Sequence, residues 1–126
     1  MMLMYEIELS SKSEKALEKL EKEVKILAVI YDKIDLLESG YFDLLDIKQL
    51  NRSKKSPKIF EVRIQSPKSY RIFYCKYKEK DNKKIDLLDI IEKKTNKFQE
   101  KYFKMLDKVA KDMKNLCLIL FVKIGR

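Results

Sequence analysis

The sequence predicts an α+β fold: a small, mostly antiparallel β-sheet with an N-terminal helix, or helical hairpin, and a C-terminal helix packed on one of its faces. Three observations carry this. Phe60, Val62 and Ile64 alternate with Glu61, Arg63 and Gln65, the period of a half-buried strand, and a turn at Ser66–Ser69 returns the chain into the aromatic-rich stretch Tyr70–Tyr77. Two longer segments repeat apolar residues at steps of three and four, the period of a helix. No repeat, linker or low-complexity segment interrupts the 126 residues, so one domain over 1–126 is expected.

In chain order, Met4–Leu9 alternates and reads as a first strand. Ser11 and Glu14 fit a capping box, with Ser11 as the cap. Leu17, Leu20, Val24, Leu27, Tyr31 and Ile34 then form one stripe, on a helix that runs unbroken to about Glu38 or bends near Ala28. Gly40 is placed to stop it. Tyr41–Leu50 reads as a short helix or irregular connection, and Asn51–Lys58 as a basic surface loop. After the hairpin, 78–83 is a charged turn and Ile85–Ile91 a buried central strand. Asn96 caps a second helix, with Gln99 three residues on and a stripe of Phe98, Tyr102, Met105, Leu106, Val109 and Met113. Residues 116–126 fit a closing strand or a tail.

Composition narrows the function. Histidine is absent, which removes Ser-His-Asp and Cys-His catalysis and makes zinc or iron sites improbable. No metal-ligand spacing is present, so neither metal nor cofactor is expected. Cys75 and Cys117 lie in apolar surroundings and read as buried free thiols of a reducing cytoplasm. No run approaches the roughly 20 apolar residues of a membrane span, and no membrane partner is expected. Net charge is +9 and unevenly spread: residues 1–51 carry seven Lys/Arg against eleven Asp/Glu, residues 52–104 seventeen against seven. An excess of ten positive charges from the hairpin to the start of the last helix suggests an anionic partner, nucleic acid first.

The hairpin is the expected working surface. Glu61 and Arg63 should share one face of a strand, with Arg71 on its neighbour. Arginine presents a fixed fork of donors for phosphate oxygens, and Glu61 or a lysine of depressed pKa could act as a base in RNA cleavage. Two guanidinium groups from adjacent strands, on one face and open to solvent, would cradle an RNA backbone. The competing structural reading pairs these arginines with Glu61 or other acids, and packs Tyr102 in its helix stripe.

Ile59–Ile64 (Ile-Phe-Glu-Val-Arg-Ile), Tyr70–Tyr74 (Tyr-Arg-Ile-Phe-Tyr), a buried strand and Glu92–Thr95 (Glu-Lys-Lys-Thr) before a C-terminal helix together resemble the RelE/HigB superfamily of toxins, nearest its phage-derived HigB-like branch. The resemblance covers roughly residues 4–115. It implies a RelE-like fold and an mRNA endoribonuclease of a type II toxin–antitoxin pair. Such a toxin cuts mRNA, usually on the ribosome, by metal-independent attack of the 2′-OH, and is silenced by a cognate antitoxin, here a small helix-turn-helix protein in a hetero-oligomer. A catalytically degenerate nucleic-acid- or ribosome-binding protein of the same fold is the alternative. Position by position, Arg71 and Arg63 fall on phosphate-facing arginines, Glu61 on a glutamate able to serve as base, and Lys93 and Lys94 on a pair near the leaving group or backbone. Lys94 is counted with the catalytic set, and Lys93, Lys68, Lys97 and Tyr102 as RNA-binding. Two positions depart from the branch: Ile91-Glu92 stands where it has Phe before Lys-Lys, and no proline follows Thr95.

Overall fold

The computed structural model describes residues 4–50, 55–94 and 98–124, with side chains to residue 115. The elements, in order, are β1 (Glu6–Leu9), α1 (Ser11–Lys19), α2 (Val24–Glu38), a single 3₁₀ turn (Phe42–Leu44), β2 (Ile47–Gln49), β3 (Phe60–Ile64), β4 (Tyr70–Glu79), β5 (Asn82–Glu92) and α3 (Glu100–Ile124). The five strands form one sheet in the order β1-β5-β4-β3-β2. Only β1 pairs parallel, with β5; every other pairing is antiparallel. The α+β class and the mostly antiparallel sheet are as the sequence predicts.

Helices cover both faces, not one. Ile26, Ile30, Ile34 and Leu37 of α2, with Leu17 of α1, pack on Val62, Ile64, Ile72, Tyr74, Ile85 and Leu87. Leu106 and Ala110 of α3 pack on Phe73 and Leu88 from the opposite side. Alternation along each strand therefore sends odd and even residues into two separate cores. This explains why β4 and β5 are apolar on both sides near their middles.

The strand β5 joins the two cores. Phe73 pairs with Asp89 and Tyr74 with Leu87, so Leu88 is an extra residue, a β-bulge. The bulge turns both Leu88 and Asp89 towards α3. It also leaves the Leu87 and Leu88 carbonyls in need of donors, and the start of α1 supplies them. Ser10 Oγ donates to Leu88 O at 2.7 Å and Ser13 Oγ to Leu87 O at 2.9 Å, while the Ser10 amide donates to Leu87 O at 3.0 Å. Ser10, not Ser11, is the N-cap: its Oγ accepts from the Ser13 amide.

Four further expectations are corrected. The N-terminal helix breaks at Leu20–Glu23. The break resets the phase, so Ile26, Ile30, Ile34 and Leu37 face the core while Val24 and Tyr31 are exposed. Ile47–Gln49, expected as helix or connection, is an edge strand on β3. The 78–83 turn is tighter than expected, because β4 and β5 extend to Glu79 and Asn82 around Lys80, which adopts φ 54°. Residues 116–124 are neither strand nor tail: α3 continues through them to Ile124. The expectation that Gly40 stops α2 holds. It takes φ 78°, its amide bonds Leu37 O and the Tyr41 amide bonds Leu36 O, the paired bonds of a Schellman motif. Asn96, the expected cap of the last helix, lies outside the described residues.

Candidate nucleic-acid interface

Strand alternation puts Glu61, Arg63 and Arg71 on the α3 face, with Arg63 directly opposite Arg71. The two arginines share a face as expected; they do not share an environment. Arg63 leaves 38% of its side chain in solvent and bonds Asp46 Oδ1 through Nη2 at 3.0 Å. Arg71 is 5% exposed. Its guanidinium runs along the sheet rather than outward. Nη1 donates to Tyr70 O at 2.9 Å, and more weakly to Ser69 Oγ at 3.3 Å and Ile64 O at 3.4 Å. Nε lies 3.4 Å from Glu61 Oε2, near enough for charge attraction but not aligned for a hydrogen bond. Glu61 is itself only 6% exposed. The open two-arginine cradle is thus not formed in this conformation, because the buried Glu61 and the strand-end carbonyls hold Arg71 inward.

A second buried acid stands beside this pair. Asp89 is 7% exposed and accepts the Tyr102 hydroxyl through Oδ2 at 2.7 Å and the Ile90 amide through Oδ1 at 2.9 Å. Burial, then the hydrogen bond to Asp89, pushes the Tyr102 pKa well above the usual phenol range, so the phenol stays a donor. The ring sits in an aromatic group with Phe73 and Phe98, and Lys93 Nζ lies 5.4 Å from the Phe98 centroid. Sequence reasoning missed Asp89. The signal was available: an acid inside the apolar run Ile85–Ile91 must either break the strand or be buried with a partner.

The remaining lysines divide. Lys93 lies with the α3-face group, and its amide donates to Ser69 O. Lys94 instead lines a cleft of about 560 Å³ on the α1 face, together with Lys12, Lys15, Lys19, Tyr70, Glu23 and Glu92. Lys68 is on this side too, bonded to Glu23. Lys97 lies outside the described residues. The lysines of α1 at 12, 15 and 19 recur at helical spacing on one side of the helix. The chain's net charge by segment concealed them, since the first 51 residues are acidic overall. Both groups sit at the same end of the sheet, where β4 begins and β5 ends. Among the described residues, no group of three or more His, Cys, Asp or Glu is placed to hold a metal ion. Among them, too, no helix is long and apolar enough to cross a membrane.

A family model described as "Phage derived protein Gp49-like (DUF891)" matches residues 15–114. The chain belongs to this family. It is a family of RelE/HigB-like toxins of toxin–antitoxin systems, and the match reaches from α1 to the middle of α3, so it includes both cation groups apart from Lys12. No curated protein and no solved structure matches the chain.

Proposed function

We propose that this Gp49-like protein is the toxin of a toxin–antitoxin pair and acts as an mRNA endoribonuclease, with ribosome-bound mRNA in the cytoplasm as substrate. The observation that carries this is the α3-face group at the end of the sheet. Arg63 stands at the surface beside a buried Glu61–Arg71 pair and an Asp89–Tyr102 pair, within the half of the chain that holds the positive excess.

In this mechanism Arg63 and Lys93 take the scissile phosphate and its neighbour, stabilising charge that builds on the phosphorane oxygens. Glu61 takes the proton of the 2′-OH as the 2′-oxygen attacks phosphorus. The bond to the 5′-oxygen breaks, leaving a 2′,3′-cyclic phosphate and a 5′-hydroxyl whose proton comes from a lysine or water. Arg71 acts from beneath as the counter-charge that fixes Glu61, and reaches a phosphate itself only by releasing the strand-end carbonyls. Tyr102 holds Asp89 and offers its ring edge to a base. Lys94 and Lys68, with the α1 lysines, receive the strand where it passes over the sheet end. A small helix-turn-helix antitoxin would silence the toxin in a hetero-oligomer.

The burial of Arg71 and Glu61 favours a second reading: the same surface binds RNA or the ribosome without cutting. Inducing the chain in a bacterial host separates the structural and functional roles of Arg63. The parent should arrest growth, and Arg63→Ala should relieve the arrest while retaining the parent's circular dichroism and denaturation midpoint. Equal arrest by Arg63→Ala would remove Arg63 from the site.

A further inference from the structure

On the α3 face, at the end of the sheet away from Arg71, a second concavity lies between α3, the middle of β4 and β5, and the segment before β3. It holds about 290 Å³ and is lined by Lys55, Lys58, Lys76, Lys111 and Lys114, with Cys75, Tyr77 and Asp86 along its sheet side. Asp86 is the only acid among the described residues that line it, and is 2% exposed; Asp107 of α3 lies close enough to act on Cys75. Lys76 contributes only backbone here: its side chain leaves from the other face of the sheet, with the amine 4.4 Å from the Phe42 centroid, so it adds no charge to the cleft. The other four lysines still outnumber one sunken carboxylate, a far stronger positive bias than in the α1-face cleft with its Glu23, Glu92 and Asp89. Lys114 sits 5.4 Å from the Tyr77 centroid, and Lys58 and Lys111 are exposed on the rim. Asp86 is bonded by the Tyr77 side chain, and burial raises its pKa to about 6, so its charge weakens rather than cancels the field of the lysines.

We propose that this lysine-walled cleft is a phosphodiester-binding subsite that seats the RNA strand at a distance from the cleavage point. The inference rests on the RNA-directed function above and extends it. Lys58 and Arg63 lie five residues apart at the two ends of β3, about 17 Å for extended chain. A single strand lying along the β3 side of α3 would meet Arg63 at one end and the cleft at the other. The ligand chemistry is a phosphate ester between ammonium groups, which either an RNA backbone or a free nucleotide could supply. The strand is favoured because the cations stand on a rim, not around a closed pocket.

The test uses a fluorescent single-stranded RNA 12-mer and anisotropy titrations across a salt series. Lys111→Gln/Lys114→Gln should weaken binding roughly tenfold at low salt, and should flatten the logarithmic salt slope by about 1.4, two phosphates at ~0.7 each on a single strand. Lys101→Gln/Lys108→Gln, the same charge change on exposed positions of α3 outside the cleft, should do markedly less. If the parent binds RNA and the first pair of substitutions changes neither affinity nor slope, or the control pair weakens binding equally, the subsite is wrong and the RNA-directed function stands. If the parent does not bind the free 12-mer, the proposed function is judged by cleavage on programmed ribosomes instead. The cleft is then judged by inorganic pyrophosphate alone: amide shifts at residues 55–58, 75–77 and 110–114 keep it as an anion site, and their absence removes it.

Discussion

Replacing Arg71 with methionine separates what this guanidinium does for the fold from what it does for RNA. The substitution keeps much of the side-chain length but removes every donor. Glu61, 6% exposed, loses its counter-charge, and the carbonyls of Ile64 and Tyr70 lose the Nη1 bonds. Breaking one side of a buried ion pair typically costs about 3–5 kcal/mol, because the other charge stays buried and uncompensated. For a domain of this size that lowers Tm by more than ~10 °C. Urea denaturation at pH 7 measures the loss. Glu61→Gln and the double variant Arg71→Met/Glu61→Gln complete a cycle whose coupling should exceed ~1.5 kcal/mol, with the double variant less damaged than the two single losses summed. A cost below ~1 kcal/mol for Arg71→Met, or no coupling to Glu61, would refute the picture of a buried pair. Loss of growth arrest in Arg71→Met would then still need the retained fold of Arg63→Ala beside it before either is assigned a chemical role.

The same interior sets other expectations. Asp86 has a folded pKa of about 6 against 3.8, so the native state holds its proton more tightly than the unfolded chain does. Its contribution to stability is greatest below pH 4 and is lost as pH rises towards 6, by about 2–3 kcal/mol in all. Asp86→Asn should remove that slope in denaturation curves taken from pH 4 to 8, and an unchanged slope would assign it elsewhere. Tyr102→Phe removes the donor to the buried Asp89 at 2.7 Å and should cost about 1.5–3 kcal/mol in the same assay, with a neutral result counting against a charge-assisted bond. Ser13→Ala removes one of the two donors to the Leu87 carbonyl, leaving the Ser10 amide, and should cost about 1 kcal/mol. Burial raises the Cys75 pKa to about 12, so native protein should resist iodoacetamide at Cys75 at pH 8 until urea exposes it, as peptide mapping would show.

The parts of the fold written in local pattern were legible. The alternation of Phe60–Ile64 and the apolar run of Ile85–Ile91 marked β3 and β5, and the hairpin put Arg71 on the strand beside Arg63; the register that sets them directly opposite came from the structure. Features set by tertiary contact were not. Leu20–Glu23 contains only residues that favour helix, so nothing local marks the break that turns Val24 and Tyr31 outward. Ile47–Gln49 is too short to alternate, and becomes a strand because β3 is there to pair with it. The apolar tract 116–124 carries no period that separates strand from helix. The second covered face was readable in retrospect, since a run such as Ile85–Ile91 is apolar on both sides and needs two partners. At the candidate site, the face shared by Glu61, Arg63 and Arg71 was legible, but their burial was not, nor was the placement of Lys94 and Lys68 on the α1 side. Whether Arg71 points to solvent depends on Glu61 across the hairpin and on the carbonyls of Ile64 and Tyr70.

The most direct measurement is RNA cleavage by purified protein on ribosomes programmed with a defined mRNA, in EDTA-free buffer that keeps the ribosomes intact, with the ends of the products mapped. The parent should yield fragments ending in 2′,3′-cyclic phosphate or 3′-phosphate, and Arg63→Ala should slow their formation by about 10²-fold or more. Intact mRNA with the parent protein bound would contradict the nuclease and leave a binding protein, and cleavage by Arg63→Ala at the parent's rate would contradict the assignment of Arg63 to the scissile phosphate.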